Sequence, residues 1–345
     1  MKDFAPLQQK SIFVYMILVT GGTGLVGAHL LLHLLENGEK VRALYRTEAH
    51  CNKTKALFTY YNKDHLYADI EWIAGDILDI PSLEIAFQNI QQVYHCAAFI
   101  SFDPKDEATI RKTNIEGTAN IVNFCLAYAI KKMCHVSSIA ALGDLAAHEI
   151  EIKECTEWNP EKPHSDYAIS KYGAEMEVWR GQQEGLKVII INPGIILGPG
   201  FPDQGSGTLF TTVKKRMHFY TLGSTGCIAV PDVVRIAYRL MKSECSNERF
   251  TLIAENIIYK DLLFMIADAL KAKRPAQYAS PFFTSLAWKI DAIAAFLGIK
   301  KRTFSKVIAI ASHTNTMYSN EKIVQQLQPS FSNIKNYIDK IAPSF

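Results

Sequence analysis

The feature that most constrains this chain is a short apolar segment that runs through a glycine-rich turn into a helix-prone segment. Met16–Thr20 has the composition of a buried strand, and the residues that follow the turn read as a helix that ends at Asn37–Gly38. Between them stand three glycines with G-x-x-G-x-x-G spacing, Gly21, Gly24 and Gly27. A strand, a glycine turn and a helix in this order predict a dinucleotide-binding site.

Each glycine has a physical reason in such a turn. Gly21 permits a tight exit from the strand, and Gly27 lets the helix lie close to it. At Gly24 the missing side chain lets a pyrophosphate reach the N–H groups at the positive end of the helix. We expect the neighbouring residues Thr23, Leu25 and Val26 to contact the cofactor as well. A glycine triplet alone also fits an ordinary loop, so the flanking strand and helix carry the prediction.

Composition narrows the class of protein. The 345 residues exceed one average domain, and the net charge of +3 with scattered Lys and Arg gives no case for nucleic acid. Seven cysteines without a C-x-x-C pair favour reduced thiols in a cytoplasm over a disulfide framework or a zinc site. We therefore expect a globular, cytoplasmic protein that acts on a small molecule and holds no metal.

Two apolar stretches have some of the character of export or membrane signals. Ser11–Tyr15 merges into the first strand without a small-residue cleavage site, so export is not expected and residues 1–15 are interpreted as an arm. Phe282–Ile299 is interrupted by Lys289 and Asp291 and is too short to span a bilayer. We predict an amphipathic helix beside a pocket there.

The second predicted strand, Lys40–Tyr45, ends about 20 residues past the glycines, where such sites discriminate between NAD and NADP. An Asp or Glu at this point would accept hydrogen bonds from the ribose 2′-hydroxyl and repel a 2′-phosphate. The residue here is Arg46, whose guanidinium suits a phosphate. The sequence therefore favours NADP over NAD, with an ordinary surface arginine as the alternative.

Further strand-like segments alternate with helix-like ones. Strands are predicted at residues 71–76, 93–98 and 133–138, with helices from Pro81 and over 106–128. This order predicts an α/β fold with a parallel, doubly wound sheet of the Rossmann type.

The ends of these strands supply further candidate cofactor contacts. Asp76, followed by Ile77, is placed to accept a hydrogen bond from an adenine amino group. Ala97 and Ala98 are small enough for a cofactor to pass close to the backbone. Phe99 and Phe102 could wall a substrate pocket, or they could be core aromatics.

Tyr167 and Lys171 stand four residues apart and therefore share one face of a predicted helix. A nearby ammonium stabilises a phenolate, so we expect Lys171 to lower the tyrosine pKa from its ordinary value of about 10. Such a tyrosine can give or take a proton at a carbonyl or alcohol oxygen. Ser138, which ends a predicted strand, completes the candidate set.

At this point the chain resembles the extended short-chain dehydrogenase/reductases of the NAD-dependent epimerase/dehydratase superfamily, from Met16 to the C-terminus. The matched pieces are T-G-G-T-G-L-V-G from Thr20, G-D-I-L-D from Gly75, H-C-A-A from His95, N-I-E-G-T from Asn114, V-S-S-I-A-A-L-G from Val136, Y-A-I-S-K from Tyr167 and N-P-G-I-I-L-G-P-G from Asn192.

The resemblance implies roles and an organisation. Tyr167 would be the general acid/base, Lys171 would hold the nicotinamide ribose and tune Tyr167, and Ser138 would hold the reacting oxygen, with Ser137 the less favoured partner. Pro193 and Ile196 would line the nicotinamide. The expected organisation is a Rossmann domain over 16–192, a substrate-binding part over 193–345 with elements near Ile228–Met241 returning to the main sheet, and a homodimer formed by the helices 106–128 and 166–183.

Departures from the pattern of nucleotide-sugar epimerases indicate the branch. Their R-P-x-N-x-Y-G-P motif corresponds here to a segment with Asn192, Ile195 and Leu197, so its polar contact to sugar-nucleotide phosphates is missing. Their pyrophosphate-clamping arginine is also absent from Thr225–Asp232. Ile139-Ala140 stand where sugar dehydratases carry an acidic pair.

What remains resembles the dihydroflavonol-reductase and 3β-hydroxysteroid-dehydrogenase branch, whose substrates are largely apolar carbonyls or alcohols. The Gly/Pro-rich stretch Gly194–Gly207 indicates an active-site loop. The expected pocket wall consists of aromatic and aliphatic side chains: Phe99, Phe102, Leu142, Phe201 and Phe210.

These observations lead to one hypothesis and two rivals. We expect NADP-dependent reduction of a ketone or aldehyde of an apolar small molecule, or oxidation of the matching alcohol. An NAD-dependent sugar epimerase would use the same Tyr–Lys pair with tightly retained NAD and no net cofactor turnover. A dinucleotide-binding protein without catalysis is the third possibility.

Overall fold

The computed structural model describes residues 15–101, 103–146, 149–296 and 304–345. The strands in these ranges, numbered in chain order, are β1 (Met16–Thr20), β2 (Lys40–Tyr45), β3 (Ile70–Ala74), β4 (Ile90–His95), β5 (Lys132–Val136), β6 (Val188–Pro193), β7 (Ile195–Leu197), β8 (Phe219–Tyr220), β9 (Ser224–Ala229), β10 (Glu248–Leu252), β11 (Glu255–Ile258) and β12 (Gln277–Tyr278).

The helices are likewise numbered in chain order. They are α1 (Leu25–Glu36), α2 (Glu48–Tyr60), α3 (Asp64–Tyr67), α4 (Ile80–Ala86), α5 (Glu107–Arg111), α6 (Gly117–Ala127), α7 (Asp166–Gln183), α8 (Gly207–Lys214), α9 (Val230–Lys242), α10 (Tyr259–Ala269), α11 (Pro281–Phe296), α12 (Lys306–Ala311), α13 (Glu321–Leu327) and α14 (Ile334–Ile341).

Seven of the described strands form one parallel sheet in the order β3-β2-β1-β4-β5-β6-β10. The chain moves outward from β1 to β3 and then returns to β4 on the other side of β1. The carboxyl ends of β1 and β4 therefore diverge into helices on opposite faces, and ligands bind at such a switch point. The predicted doubly wound α/β fold is confirmed.

Alternation along the strands gives the sheet two apolar faces. In β1, Ile17 and Val19 belong to a core built with α1 and α9, whereas Leu18 belongs to a second core built with α4, α6 and α7. All three side chains are fully buried. Because both faces are covered, β1 and the glycine turn that follows it are held rigidly between two layers of helices.

The C-terminal part adds a smaller layer at one end of the main sheet. Strands β11, β9 and β7 form a three-stranded sheet whose core includes residues of α8, α10 and α14. The expectation that a strand near Ile228 rejoins the main sheet is wrong, because this residue lies in β9 of the small sheet. The strand that returns to the main sheet is β10, beside β6, and α9 packs on that sheet.

Several predicted elements match and others shift. The structure confirms the predicted first helix with its end at Asn37–Gly38, the strand Lys40–Tyr45 and the helix over 166–183. The strands predicted at 71–76, 93–98 and 133–138 begin and end earlier than expected. The long helix predicted over 106–128 is confirmed as a continuous helical run from Glu107 to Ala127, within which Lys112–Glu116 forms a π-helical turn between α5 and α6.

Helix α11 confirms the helix predicted from Phe282, and the last residues of that prediction lie outside the described ranges, as do residues 1–14 of the predicted arm. Among the described residues, no helix combines the length and the apolar character needed to cross a bilayer.

Candidate active site

The glycine turn after β1 has the geometry that the sequence predicts. Gly21 adopts φ +72°, and a Cβ there would lie 2.6 Å from the Ala97 amide nitrogen. A Cβ at Gly27 would lie 2.1 Å from the Gly21 carbonyl oxygen, well inside contact distance. Gly24 is different, since its nearest neighbour would be 3.5 Å away. Two glycines are therefore required by packing, and the third keeps the helix start open.

The turn opens into a cavity at the carboxyl ends of β1 to β4. Eight of the predicted cofactor contacts line it together: Gly21, Thr23, Gly24, Arg46, Asp76, Ile77, Ala97 and Ala98. The remaining lining residues were not predicted: Leu44, His50, Gly75, Cys96, Thr113 and Gln204. Gln204 lies within the Gly/Pro-rich loop that the sequence predicts at the active site. The glycines and prolines indicate the loop, but nothing in the sequence identifies Gln204 itself as a cavity residue.

The residues of this cavity fit a dinucleotide. Helix α1 begins at Leu25 with Gly24 at its cap position, and no side chain caps the helix. The first-turn N–H groups of Leu25, Val26 and Gly27 are therefore oriented towards the turn, at the positive end of the helix dipole. A pyrophosphate is the group that such an uncapped helix start accommodates.

The far end of the cavity carries positive charge. Arg46 is exposed at the end of β2, and His50 lies in the first turn of α2 and lines the same cavity. Asp76 also lines the cavity, and one of its carboxylate oxygens accepts the Leu78 amide hydrogen at 2.9 Å. The structure thus brings the predicted NAD/NADP discriminator Arg46 to the same cavity as the glycine turn.

Tyr167 and Ser138 share a hydrogen bond between their hydroxyl groups. Tyr167 lies in the first turn of α7, which begins after Ser165, whose hydroxyl caps the helix by accepting the Ala168 amide hydrogen at 3.1 Å. Ser138 follows β5 and accepts the Ala140 amide hydrogen at 3.1 Å. A helix start and a strand end thus fix the two hydroxyls beside each other.

Burial raises the pKa of Tyr167 above its ordinary value, and the hydrogen bond with Ser138 lowers it by less. The expectation that Lys171 lowers the tyrosine pKa is wrong for this arrangement, because desolvation of the phenolate dominates. Tyr167 is therefore protonated near neutral pH, which makes it a proton donor before it is a base.

Lys171 is buried one turn after Tyr167, and its ammonium donates a hydrogen bond to the Val136 carbonyl at 2.9 Å. Burial lowers the pKa of Lys171 to about 8, although the charges of Glu175 and Cys96 oppose the shift. The Lys171 charge in turn acts on the Cys96 thiol, which lines the cavity. The Tyr167 cluster and the cavity therefore adjoin each other.

A buried network that the sequence analysis missed supports this cluster. Glu175, one turn beyond Lys171, accepts a hydrogen bond from the Asn192 amide at 2.5 Å and pairs with Arg249 at 3.0 Å. Asn192 also donates to the Ser138 carbonyl at 2.9 Å. The spacing of four between Tyr167, Lys171 and Glu175 was the available signal, whereas nothing local pointed to Arg249 in β10.

The π-helical turn positions a second polar anchor. Asn114 lies in this turn, accepts the Phe99 amide hydrogen at 2.7 Å and donates to the Phe99 carbonyl at 3.0 Å and to Ser170 at 2.9 Å. Asn114 therefore clamps the chain that leaves β4 onto α7, and this places Ala97 and Ala98 along the cavity.

The predicted substrate wall needs correction. Phe201 is fully buried against Ala28 and Leu57, and Phe210 is buried and stacks on Phe345 with ring centroids 4.2 Å apart. Both are core residues, because packing within their own layer turns them away from solvent. Leu142 is buried as well.

The other predicted contacts have different outcomes. Phe99 is half-buried beside the Asn114 clamp, and Phe102 lies outside the described residues. Pro193 ends β6 and pairs with Leu252, and Ile196 lies in β7. The nicotinamide contacts of these last two residues stay a prediction.

The seven cysteines are free thiols, and no group of His, Cys, Asp or Glu side chains within the described ranges is arranged to hold a metal ion.

Comparisons with known proteins agree with this architecture. Residues 17–249 match the family model described as the NAD dependent epimerase/dehydratase family. A protein of Synechocystis sp. named "Putative dihydroflavonol 4-reductase" is 29% identical over 325 residues, covering 92% of this chain and 90% of the relative. Anthocyanidin reductase of Arabidopsis thaliana is 28% identical over 280 residues, covering 74% and 80%.

The crystal structure of UDP-glucose 4-epimerase from Thermotoga maritima, with UDP-glucose, superposes with a TM-score of 0.76 at 20% identity, covering 96% of this chain and 98% of that chain. A sequence identity of 20% with a solved structure supports a shared fold and nothing further. The predicted family resemblance and the predicted NAD(P)-dependent enzyme class are confirmed by the family match and by the named reductase relatives. This chain belongs to the NAD-dependent epimerase/dehydratase family.

Proposed function

We propose that this protein is an NADP-dependent oxidoreductase that reduces a ketone or aldehyde of a largely apolar small molecule, or oxidises the matching alcohol. The observation that carries the proposal is the Ser138–Tyr167 hydroxyl pair, which lies beside buried Lys171 where the candidate cofactor cavity adjoins it. The relatives named as dihydroflavonol 4-reductase and anthocyanidin reductase support the direction of reduction.

Bound NADPH would supply the two electrons and one hydrogen of the reduction to the carbonyl carbon. Tyr167 would transfer its hydroxyl proton to the carbonyl oxygen, which becomes the alcohol. Ser138 would donate a hydrogen bond to the same oxygen and so stabilise the charge that develops there. Lys171, which is charged below its pKa of about 8, would stabilise the phenolate left on Tyr167.

The preference for NADP rests on Arg46 and His50 at the far end of the cavity. A guanidinium can bind a 2′-phosphate through two parallel hydrogen bonds, whereas a ribose hydroxyl offers no such partner. No carboxylate stands at this strand end to prefer the hydroxyl, because the residue after Tyr45 is Arg46.

Sugar epimerisation is the alternative, since the matched family model is that of NAD-dependent epimerases and dehydratases. Ile195 disfavours it, because an apolar side chain stands at the position of the R-P-x-N-x-Y-G-P asparagine that contacts sugar-nucleotide phosphates. Asn192, at the position of the motif arginine, is fully buried and bonded to Glu175 and Ser138.

The test is Tyr167→Phe, with Tyr60→Phe at an exposed tyrosine of α2 as the matched control. We expect the Tyr167 variant to lose reduction of apolar carbonyls by about 10²–10⁴-fold, since the proton donor is gone. NADPH affinity, measured by fluorescence titration, should stay within about twofold, because the hydroxyl lies away from the pyrophosphate and adenosine contacts.

Full turnover by Tyr167→Phe would discard the mechanism. Wild-type protein that retains NAD through purification and interconverts sugars without net cofactor turnover would establish the epimerase instead. NADPH binding without turnover of any carbonyl in a broad apolar panel would point to a binding protein.

A further inference from the structure

Helix α11 exposes a continuous apolar face. Phe282 is 81% exposed, Ile293 is 60% exposed and Ile290 is 57% exposed. With Leu286 between them, these positions follow one another at intervals of three or four residues, so they lie along one side of the helix. Scattered exposed apolar side chains are ordinary, but a row of them marks an interaction surface.

The apolar surface continues beyond the row. Phe283 is also exposed, and its ring packs on that of exposed Phe219 with centroids 4.8 Å apart. We call this surface the α11 face, and its residues are Phe219, Phe282, Phe283, Leu286, Ile290 and Ile293.

The segment that carries α11 has an unusual charge. Between Asp268 and Glu321 the sequence contains eight Lys or Arg residues and one acidic residue, Asp291, which gives a net charge of +7. The whole chain carries +3, so all other residues together carry −4. The segment that contains α11 is therefore strongly basic in sequence, whereas the rest of the chain is net acidic.

The structure shows how these charges face solvent. Five of the basic residues belong to the described ranges and are exposed: Lys271, Lys273, Arg274, Lys289 and Lys306. Asp291 is only 4% exposed, and its carboxylate accepts the Phe304 amide hydrogen at 3.1 Å. The acidic residue of the segment is thus turned inward while the basic residues stay outside, where Arg274 pairs with Asp268 at 2.6 Å.

We propose that the α11 face docks on the surface of an anionic lipid bilayer, with the helix lying in the plane of the headgroups. Apolar side chains on one face and basic residues around them are the combination that such interfacial helices use. Each Lys or Arg near anionic headgroups adds to the attraction. This inference concerns where the protein acts and does not rest on the proposed reductase activity.

A second copy of the chain is the other occupant to consider. A two-fold dimer through the α11 face would bring the same patch of both copies together. The exposed basic residues of both copies, Lys289 among them, would then meet around an apolar contact, and like charges disfavour that association. The basic residues around the α11 face therefore favour docking on an anionic surface over association with a second copy.

The experiment is flotation of the full chain with two vesicle preparations, one of phosphatidylcholine alone and one with phosphatidylglycerol added. We expect the protein to float with the anionic vesicles and to remain largely free with the neutral ones. Added salt should weaken the binding, because it screens the exposed Lys and Arg.

A double variant, Phe282→Ser with Ile293→Ser, should lower binding to anionic vesicles by about tenfold or more, since two inserting side chains are lost. Serine has nearly the same helix propensity as Phe and Ile, so α11 should persist. The matched control is Ile85→Ser with Ile150→Ser, at exposed positions of 55% and 86% outside the α11 face. Lys271→Gln with Lys273→Gln should lower binding about tenfold.

Circular dichroism and thermal unfolding establish that each variant is folded. Absence of flotation of the wild-type protein with anionic vesicles would overturn the proposal. So would equal flotation of the wild-type protein and the Phe282/Ile293 variant. A third outcome would also overturn the proposal: a wild-type protein that does not float and forms a dimer, with the Phe282/Ile293 variant monomeric. That result would assign the α11 face to contact with a second copy of the chain.

Discussion

The two ends of the candidate site are built in different ways. The glycine-turn end combines the backbone of consecutive residues in the turn with exposed Arg46 and with residues at the ends of β3 and β4. The Tyr167 end consists of side chains from α7, with partners from the end of β5, from β6 and from β10. The glycine turn proposed to bind the cofactor is thus encoded by neighbouring residues and lies near solvent. The groups proposed for proton transfer depend instead on a buried network assembled from distant parts of the chain.

The difference in burial changes the electrostatics of each end. At the exposed end, solvent and salt screen the charge of Arg46, so its effect depends on direct contact with a ligand. At the buried end, desolvation raises the pKa of Tyr167 and lowers that of Lys171 to about 8. The group that would exchange a proton with substrate thus lies at the end where burial perturbs protonation.

The largest effect is expected at the glycine turn, from Gly27→Ala. The new Cβ would meet the Gly21 carbonyl oxygen at 2.1 Å, and both are backbone, so the turn must open. We expect the free energy of unfolding to fall by about 1–3 kcal/mol and NADPH binding to be lost. Thermal unfolding and fluorescence titration measure the two effects.

Gly24→Ala is the control within the same turn. Its Cβ would find its nearest neighbour at 3.5 Å, an ordinary contact, so its melting temperature should match that of the wild-type protein. Its NADPH affinity should still fall, because the methyl group occupies space at the open helix start. A Gly27→Ala protein with wild-type stability and affinity would refute the packing argument for this end.

A smaller effect is expected from Arg46→Ala at the same end. Loss of the charged hydrogen bonds to a 2′-phosphate should weaken NADPH binding about tenfold and leave NADH binding unchanged. Lys55→Ala, which removes a positive charge from an exposed position of α2, is the control and should change neither affinity. An unchanged ratio of NADPH to NADH affinity in Arg46→Ala would remove the basis for the NADP preference.

The glycine-turn end could be predicted because its determinants are neighbours in the sequence. Met16–Thr20, the three glycines and Leu25–Glu36 each have a local signature, and the structure confirms their bounds. The topology of the main sheet could be predicted as well, because a chain of alternating strands and helices can form only a few arrangements of a parallel sheet.

The other features of the site depend on packing between residues that are distant in the sequence, and local sequence patterns do not reveal such packing. Phe201 lies within the predicted active-site loop and Phe210 follows it, yet their rings are buried in layers formed with distant residues such as Leu57 and Phe345. The π-helical turn that aims Asn114 at Phe99 has no signature in helical periodicity. The pKa of Tyr167 was expected from its charged neighbour alone, whereas burial decides its direction.

The smallest effect, and the sharpest test of the buried end, is expected from Glu175→Gln. The Glu175 carboxylate raises the pKa of Lys171 against the effect of burial, so its removal should make Lys171 lose its proton at lower pH. In the proposed mechanism reduction needs the Lys171 charge, so its rate should fall as pH rises through this pKa of about 8. The alkaline limb of the pH profile of kcat/KM should therefore move to lower pH, with a loss of a few fold at pH 8.

Glu177→Gln is the matched control, because Glu177 lies on the same helix and pairs with Arg180 at 2.8 Å near the surface, so its limb should not move. A merely structural role for Glu175 gives a different result, since loss of the partner of Arg249 would lower stability and activity at every pH and leave the limb in place. Only a charge that acts on Lys171 shifts the limb while the acidic side of the profile stays the same. An unmoved limb would leave Glu175 as a packing residue and break the link between the buried network and proton transfer.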